Sequence, residues 1–98
     1  MIVEFLDEAS DEAMQAYQYY EDRQSGLGTA FRTALEAALL RVEARPMSCP
    51  AIDADTRKCR LQRFPYNLLF RLLDERVLII AVAHDRRKPG YWHKRTEG

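Results

Sequence analysis

The last third of the chain carries the feature that most constrains its fold, two apolar runs separated by a short polar turn. The runs span residues 66–73 and 77–84, and the turn between them is Asp74-Glu75-Arg76. Apolar runs of this length on either side of a polar turn predict a β-hairpin. The second run leads directly into a basic and aromatic segment at residues 84–92. We therefore expect a buried strand to hold that segment at a fixed place at the edge of a sheet.

The formal charges cancel over the 98 residues but divide sharply along the chain. Residues 1–56 hold four Lys or Arg against eleven Asp or Glu, a net charge of −7, and residues 57–98 hold the reverse, a net charge of +7. This division predicts an acidic face and a basic face with different partners, the basic one meeting an anion such as nucleic acid or an acidic peptide. Solvated acidic helices with no partner are the simpler explanation of the acidic half.

Two amphipathic helices are predicted in the first half of the chain. The first is capped by Asp7 or Ser10 and runs to about Gln24. The second follows the break at residues 25–28 and ends before Pro46. A break so short predicts an antiparallel helical hairpin. Helical spacing predicts the buried faces, which are Ala9, Ala13, Ala16, Tyr17 and Tyr20 in the first helix, and Leu27, Phe31, Ala34, Leu35, Ala38, Leu39 and Val42 in the second.

A three-stranded antiparallel meander is expected after the helices. The connector at residues 47–56 leads to a half-buried strand at residues 57–64, and the two runs of the hairpin complete the meander. With a short first strand at residues 2–6, the order is strand, helix, helix and three strands, an α+β fold in a single domain over residues 1–98. The helical hairpin then covers one face of an antiparallel sheet. The other face carries Lys58, Arg60, Asn67 and Arg71.

The sequence gives no indication of several common kinds of site. It has no zinc-ligand spacing, phosphate-binding glycine loop, nucleophile elbow or dinucleotide fingerprint, so we expect neither a metal nor a cofactor. Cys49 and Cys59 are ten residues apart. A disulfide between them is sterically possible, but reduced and inert thiols in a cytoplasmic protein are expected. The longest apolar run has seven residues, far short of the ~20 that cross a bilayer, and we expect neither a signal peptide nor a membrane anchor.

Several short motifs follow one another in the order found in a known superfamily. They are Gly26-Leu27-Gly28 with Phe31, Pro46, Arg63-Phe64-Pro65-Tyr66, Phe70-Arg71, Ala81-Val82-Ala83-His84, Arg87, Pro89, Tyr91-Trp92 and Arg95. In these residues the chain resembles, over nearly its whole length, the RelE/ParE superfamily of bacterial type II toxins, the plasmid stabilization group. It is most similar to the ParE-like branch.

The resemblance implies a growth-inhibiting toxin that a cognate antitoxin holds inactive. ParE-like members poison DNA gyrase, and RelE-like members cleave messenger RNA on the ribosome. We therefore expect a toxin that binds and blocks a target such as gyrase, with a ribosome-dependent messenger RNA endonuclease and a non-toxic interaction module as alternatives. A disordered acidic tail of the antitoxin is expected to wrap the helical hairpin, add to an exposed sheet edge and neutralise the basic half. The sequence does not decide whether the free chain dimerises.

The nuclease alternative needs a general base, a cation that stabilises the phosphate and a general acid. The resemblance implies that these roles fall to Lys58, Arg60, Arg87 and His93. The arginine that the family places in the middle strand is Asn67 in this chain. Because a short neutral amide cannot replace a bidentate phosphate clamp, this departure favours binding over cleavage.

The candidate target-binding residues come from the basic and aromatic segment, with one addition from the hairpin. They are Arg71, His84, Arg86, Arg87, Lys88, Tyr91 and Trp92. Three consecutive cations repel one another unless an anion binds, so residues 86–88 are the strongest candidates. For His84 the alternative is a hydrogen-bonded structural role, and for Tyr91 and Trp92 it is closure of one end of the core. Arg71 can instead form a surface ion pair with the hairpin turn.

Overall fold

A helical hairpin lies on one face of a four-stranded sheet. The computed structural model describes residues 1–96. Its elements in chain order are β1 (Ile2–Phe5), α1 (Asp7–Arg23), α2 (Leu27–Ala44), a short 3₁₀ helix (Pro46–Ser48), β2 (Arg57–Arg60), β3 (Tyr66–Leu73), β4 (Arg76–His84) and a second 3₁₀ helix (His93–Thr96). The predicted α+β order of strand, helical hairpin and three strands is confirmed.

The sheet is mixed, with the strand order β1-β4-β3-β2. Strands β2, β3 and β4 form the predicted antiparallel meander. Strand β1 pairs in parallel with the first half of β4, from Ile2 opposite Arg76 to Phe5 opposite Ile79. The prediction of an all-antiparallel sheet is therefore wrong at β1. The direction of this strand depends on how the helical hairpin returns the chain across the sheet, and no local pattern in residues 2–6 encodes it.

Helix α1 begins at Asp7 without a side-chain cap. Its N-cap residue is Leu6, which has extended backbone angles. The Leu6 N–H donates to the Ile79 carbonyl at 3.0 Å, as the last hydrogen bond of the β1–β4 pairing. The prediction that Asp7 or Ser10 caps the helix is wrong because the helix starts directly where the strand ends. Asp7 and Glu8 still lie in the first turn, where a negative charge interacts favourably with the helix dipole.

The turn between the helices depends on two glycines and one carboxylate. Gly26 has a φ of 89°, in the left-handed region that favours glycine. The Glu21 carboxylate accepts hydrogen bonds from the Gly26 and Gly28 backbone N–H groups, both at 3.0 Å. At Gly28 the helices approach so closely that a Cβ atom would lie 2.7 Å from the Tyr17 carbonyl oxygen. The short break in the sequence therefore marks a close helix crossing.

The main core lies between the helices and the sheet, and the predicted helix faces are confirmed. Strand β3 contributes Leu68 and Phe70, and β4 contributes Val77, Ile79 and Val82. The helices and the β2 region complete this core with Ala9, Ala16, Phe31, Leu35, Ala38, Val42, Cys49, Cys59, Leu61 and Phe64.

A β-bulge in β4 gives the sheet a second apolar cluster on the face away from the helices, here called the outer face. Phe70 pairs with Ile79 and Leu69 pairs with Ala81, so Ile80 is the extra residue. Two residues in succession therefore lie in the outer cluster, and beyond the bulge Val82 belongs to the main core. Trp92 packs against the outer cluster of Leu69, Ile80, Ala81 and Ala83, and is only 5% exposed.

Strand β2 is shorter than predicted, ending at Arg60 instead of residue 64. The chain turns immediately afterwards, and Arg63 has a positive φ of 74°. The connector pairs with part of the edge of β2 that faces away from β3. Ala51 forms an antiparallel bridge with Arg57, and the Lys58 N–H donates to the Pro50 carbonyl at 3.0 Å. No helix among residues 1–96 is long and apolar enough to cross a membrane.

Candidate functional site

The basic segment begins in a turn that hydrogen bonds hold in one conformation. At the end of β4, the His84 carbonyl accepts from the Arg87 N–H at 3.0 Å, and the His84 Nδ1 atom accepts from the Arg86 N–H at 3.0 Å. The His84 ring packs edge-on against Tyr66, with ring centroids 5.0 Å apart. The His84 side chain therefore accepts a hydrogen bond within the turn and helps to hold the backbone from which the cations project.

Asp85 ties this turn to the neighbouring strands. Its Oδ1 atom accepts from Arg60 Nη1 at 2.9 Å and from Asn67 Nδ2 at 3.0 Å. The hydrogen bond from Arg60 is the main reason that the pKa of Asp85 lies below its ordinary value. Both partners are exposed, so the pair adds little to stability. It does join β2, β3 and the turn after β4 across the outer face.

A nearly buried carboxylate anchors the C-terminal end of the segment to α1. Glu12 accepts hydrogen bonds from Tyr91 Oη at 2.7 Å and from Arg95 Nη1 and Nη2 at 2.8 and 2.9 Å. It also accepts from the Val82 N–H at 3.0 Å, while Arg95 Nη1 donates to the Ile80 carbonyl at 3.1 Å. These five residues are called the Glu12 cluster below. They satisfy the backbone groups of β4 beyond the end of β1, where no strand pairs with that edge.

Burial and hydrogen bonding oppose each other at Glu12. Burial alone would raise the pKa of Glu12, but the hydrogen bonds from Arg95, Tyr91 and the Val82 N–H outweigh it, so the pKa lies below the ordinary value of 4.5. The pKa of Tyr91 is strongly raised, first by burial and then by its hydrogen bond to Glu12. Glu12 is therefore ionised and Tyr91 protonated at neutral pH. Arg87 lies over the Tyr91 ring, 3.8 Å from the centroid, and 3.9 Å from the Glu12 carboxylate.

The four predicted catalytic residues lie in three different surroundings and do not form one cluster. Lys58 and Arg60 are exposed on β2, where Arg60 is paired with Asp85. Arg87 lies on the α1 side of the molecule beside Glu12 and Tyr91. His93 Nε2 is 3.7 Å from an Asp53 carboxylate oxygen. Three of the four therefore have a carboxylate neighbour, and the fourth, Lys58, has no ion-pair partner among residues 1–96.

The predicted target-binding residues divide into exposed and structural members. Arg86 and Lys88 are exposed, and neither forms an ion pair within the described part of the chain. Tyr91 belongs to the Glu12 cluster and Trp92 is buried, so both hold the segment in place. Arg71 is half-buried, and within the described residues its Nε atom has no hydrogen-bond partner and it makes no ion pair with the hairpin turn.

Sequence reasoning missed the acidic residues that organise this region, Glu12, Asp53 and Asp85. A signal was present for Glu12, because it lies three residues after the buried Ala9 and four before the buried Ala16. A carboxylate on the buried face of an amphipathic helix needs a buried partner. The identity of that partner could not be inferred, since Arg95 is 83 residues further along the chain.

A second surface feature is an apolar groove beside the helical hairpin. It has a volume of about 400 Å³ and is lined by Phe5, Ser10, Ala13, Met14, Tyr17, Phe31, Arg32 and Leu35. Met14 is 69% exposed at its margin. Within residues 1–96, no group of three or more His, Cys, Asp or Glu side chains could hold a metal ion.

The architecture, a helical hairpin on a four-stranded sheet with a basic turn after the last strand, defines a RelE/ParE-like toxin fold. The chain is similar to a solved structure of the chromosomal ParDE TA system from P. aeruginosa, with a TM-score of 0.63 and 16% sequence identity over 86% of this chain and 95% of that chain. This likeness shows the fold. The family model of the ParE toxin of type II toxin-antitoxin system, parDE, matches residues 3–89. The chain therefore belongs to the ParE toxin family, and the predicted resemblance is confirmed. No curated protein sequence matches it significantly.

Proposed function

We propose that this chain is the toxin of a type II pair, that it acts in the cytoplasm by binding and blocking a target such as DNA gyrase, and that a cognate antitoxin holds it inactive. The observation that carries the proposal is the pair of exposed cations Arg86 and Lys88 on a rigid turn. The ordered turn reduces the entropy lost on binding, and unpaired cations attract a negatively charged surface.

Binding is favoured over cleavage because most of the candidate catalytic groups are already engaged. A general acid or base must be free to exchange a proton with the substrate, and a phosphate clamp must be free to bind an anion. Arg60 is bonded to Asp85, and His93 lies beside Asp53. Asn67 gives its amide to the same Asp85 carboxylate, so it does not present a free donor to a phosphate.

A ribosome-dependent messenger RNA endonuclease is the second candidate function, and one observation favours it. A cavity of about 590 Å³ on the β2 side of the sheet is lined by Arg41, Lys58 and Arg60. Three cations around one cavity attract a polyanion such as RNA. In this alternative, substrate phosphate displaces Asp85 from Arg60.

The apolar groove beside the helical hairpin supports an antitoxin partner. An amphipathic segment of the antitoxin can place apolar side chains against Ala13, Met14 and Tyr17, in the manner of a helix in a groove. Its acidic residues can then reach Arg32 at the margin. This arrangement would bury exposed apolar surface and neutralise an exposed cation at once.

The deciding experiment is induction of the chain without an antitoxin, scored for growth, plasmid supercoiling and messenger RNA integrity. Two charge-matched variants separate the candidates, Arg86→Ser with Lys88→Ser, and Lys58→Ser with Arg60→Ser. If the proposal holds, growth stops with relaxed plasmid and intact message, the first variant relieves the arrest and the second does not. Fragmented message that only the second variant abolishes would establish the nuclease instead. Normal growth with a folded, abundant chain would identify a non-toxic interaction module.

A further inference from the structure

The two cysteines face each other across an antiparallel pair that the sequence did not reveal. Ala51 is the bridge partner of Arg57, and the Lys58 N–H donates to the Pro50 carbonyl at 3.0 Å. Continuing this register by one residue places Cys49 opposite Cys59. Lys58 and Pro50 occupy a hydrogen-bonded position of this antiparallel pairing, although proline has no N–H and only the Lys58 N–H donates. Because the two types of pair alternate, the flanking Cys49–Cys59 pair is of the non-hydrogen-bonded type. In such pairs the Cα atoms are about 4.5 Å apart, within the range that a disulfide spans.

The surroundings of the two sulfur atoms suit a thiol pair that can react. Both side chains are buried, 6% and 5% exposed, and both belong to the main core. Cys59 Sγ accepts a hydrogen bond from Arg41 Nη2 at 3.4 Å. Burial, and then the neighbouring Cys59, raise the pKa of the Cys49 thiol, so Cys49 is the less reactive of the two and Cys59, beside Arg41, is the sulfur that meets an oxidant first. Both cysteines line the 590 Å³ cavity on the β2 side of the sheet, which gives a small oxidant a route to them.

We propose that Cys49 and Cys59 form a reversible intramolecular disulfide when the protein meets a hydroperoxide. In the first step the Cys59 sulfur attacks a peroxide oxygen, the O–O bond breaks, and Cys59 becomes a sulfenic acid while one water or alcohol leaves. In the second step the Cys49 sulfur attacks the Cys59 sulfur, the S–O bond breaks and a water leaves. The two sulfur atoms together lose two electrons, which reduce the peroxide.

While the protein is oxidised, the disulfide would fasten the connector along β2. In the reduced protein residues 49–51 cover part of this strand through one backbone hydrogen bond, a single bridge, a hydrogen bond from Arg57 Nη1 to the Cys49 carbonyl at 2.7 Å and the burial of the Cys49 side chain. Such short pairings open easily, and an open strand edge accepts another strand. The oxidised protein would keep this edge closed, whereas the reduced protein could release it to an incoming segment.

The test is treatment of the purified chain with hydrogen peroxide, followed by intact mass measurement and peptide mapping. Trypsin cuts after Arg57 and Lys58, between the two cysteines, so a linked pair of peptides identifies the bond. We expect a monomer that has lost two hydrogen atoms and regains them with dithiothreitol. We also expect a melting temperature higher by about 5–10 °C, since the bond closes a loop of about ten residues, and slower hydrogen exchange at the Lys58 N–H.

The controls are the single variants Cys49→Ala and Cys59→Ala, each of which leaves one thiol and should show no gain in melting temperature on oxidation. If either variant fails to fold, the wild-type mapping still decides, because it needs no substitution. Oxygen addition at one cysteine without a linked peptide, a disulfide only between two chains, or unchanged exchange at Lys58 in the linked protein would overturn the proposal.

Discussion

At the scale of single residues, Glu12 organises more of the candidate site than any predicted residue. The side chain of Glu12 is 12% exposed and that of Arg95 is 15% exposed, so the ion pair is largely shielded from water. Removing one member of such a pair leaves the other charge without its partner, which costs more than the net contribution of the intact pair. Tyr91 and the Val82 N–H would lose their acceptor in the same step.

We expect Glu12→Gln to lower the free energy of unfolding by about 2–3 kcal/mol. The glutamine oxygen can still accept hydrogen bonds, but its NH₂ group faces the Arg95 guanidinium, where two donors oppose each other. Urea denaturation followed by circular dichroism measures the change. Asp11→Asn is the matched control, since Asp11 is an exposed neighbour on the same helix, and it should change stability by no more than about 0.5 kcal/mol. Equal effects of the two substitutions would contradict this role of Glu12.

The same carboxylate makes stability depend on pH. Because the folded-state pKa of Glu12 lies below its ordinary value of 4.5, its contribution is present above that pH and is lost as the pH falls through the folded-state value. The difference in unfolding free energy between the wild type and Glu12→Gln should therefore be constant from pH 7 to about pH 5 and shrink below pH 4.5. A difference that grows on acidification would mean that the wild-type carboxylate has a raised pKa.

The partners of Glu12 and of the other carboxylates of the site could not be predicted from the sequence, whereas the exposed cations could. The exposed cations Arg86 and Lys88 were predicted from three consecutive positive charges, a purely local pattern. The carboxylates that fix their surroundings come from α1, from the connector and from the turn itself, and they meet only in the folded chain. Position along the sequence does not indicate which residues form such tertiary contacts. Neither the ion pair of Arg60 with Asp85 nor the hydrogen bond of Tyr91 to Glu12 was therefore predictable.

At the scale of elements, the helical hairpin was predictable because its signals are local. The apolar period of α2, the glycine break and Pro46 lie within one stretch of chain, and the observed bounds of Leu27–Ala44 agree with them. The β-bulge at Ile80 was not predictable, since it depends on how β4 packs against β3 and beneath Trp92. The parallel direction of β1 likewise depends on the path of the whole chain.

A substitution at Gly28 tests whether the helices are as close there as the structure shows. Alanine has the higher helix propensity, but its Cβ atom would meet the Tyr17 carbonyl at 2.7 Å and Glu21 at 2.9 Å. We expect Gly28→Ala to destabilise the protein by about 1–3 kcal/mol, because the helices must separate or the Glu21 cap must break. Thermal unfolding measures this. The neighbouring exposed Thr29→Ala is the control and should be neutral or slightly stabilising. A higher melting temperature for Gly28→Ala would show that the crossing has room.

At the scale of the whole molecule, the divided charge of the sequence is partly neutralised inside the fold. Three of the four ion pairs between formally charged side chains in the described chain join an acidic residue of the first half to a basic residue of the second, namely Glu4–Arg76, Glu12–Arg87 and Glu12–Arg95. From the sequence, these charges were assigned to outside partners or, for the acidic half, to solvated helices, and pairing between the two halves was not predicted. Within residues 1–96, the cations without an ion-pair partner include Lys58, Arg86 and Lys88, which would be available to the partner that we propose.

A substitution in the apolar groove tests whether the proposed antitoxin binds there. We expect Met14→Lys to weaken antitoxin binding by about tenfold or more, because a charge would enter a desolvated contact. Met47→Lys is the control, since Met47 is equally exposed but lies outside the groove. Titration calorimetry with the cognate antitoxin measures both. Loss of affinity in both variants, or in neither, would remove the groove from the interface.

The Glu12 cluster also has a consequence for the order of events during protein synthesis. Strand β1 cannot pair until β4 exists, and Glu12 cannot meet Arg95 until 83 further residues have been added. Contacts so distant along the chain form late and slowly. The growing chain on the ribosome therefore has neither the closed sheet nor the Glu12 cluster until its last residues have been made. If the proposed function holds, the target-binding surface is complete only at the end of synthesis, so the chain cannot act while it is still being made.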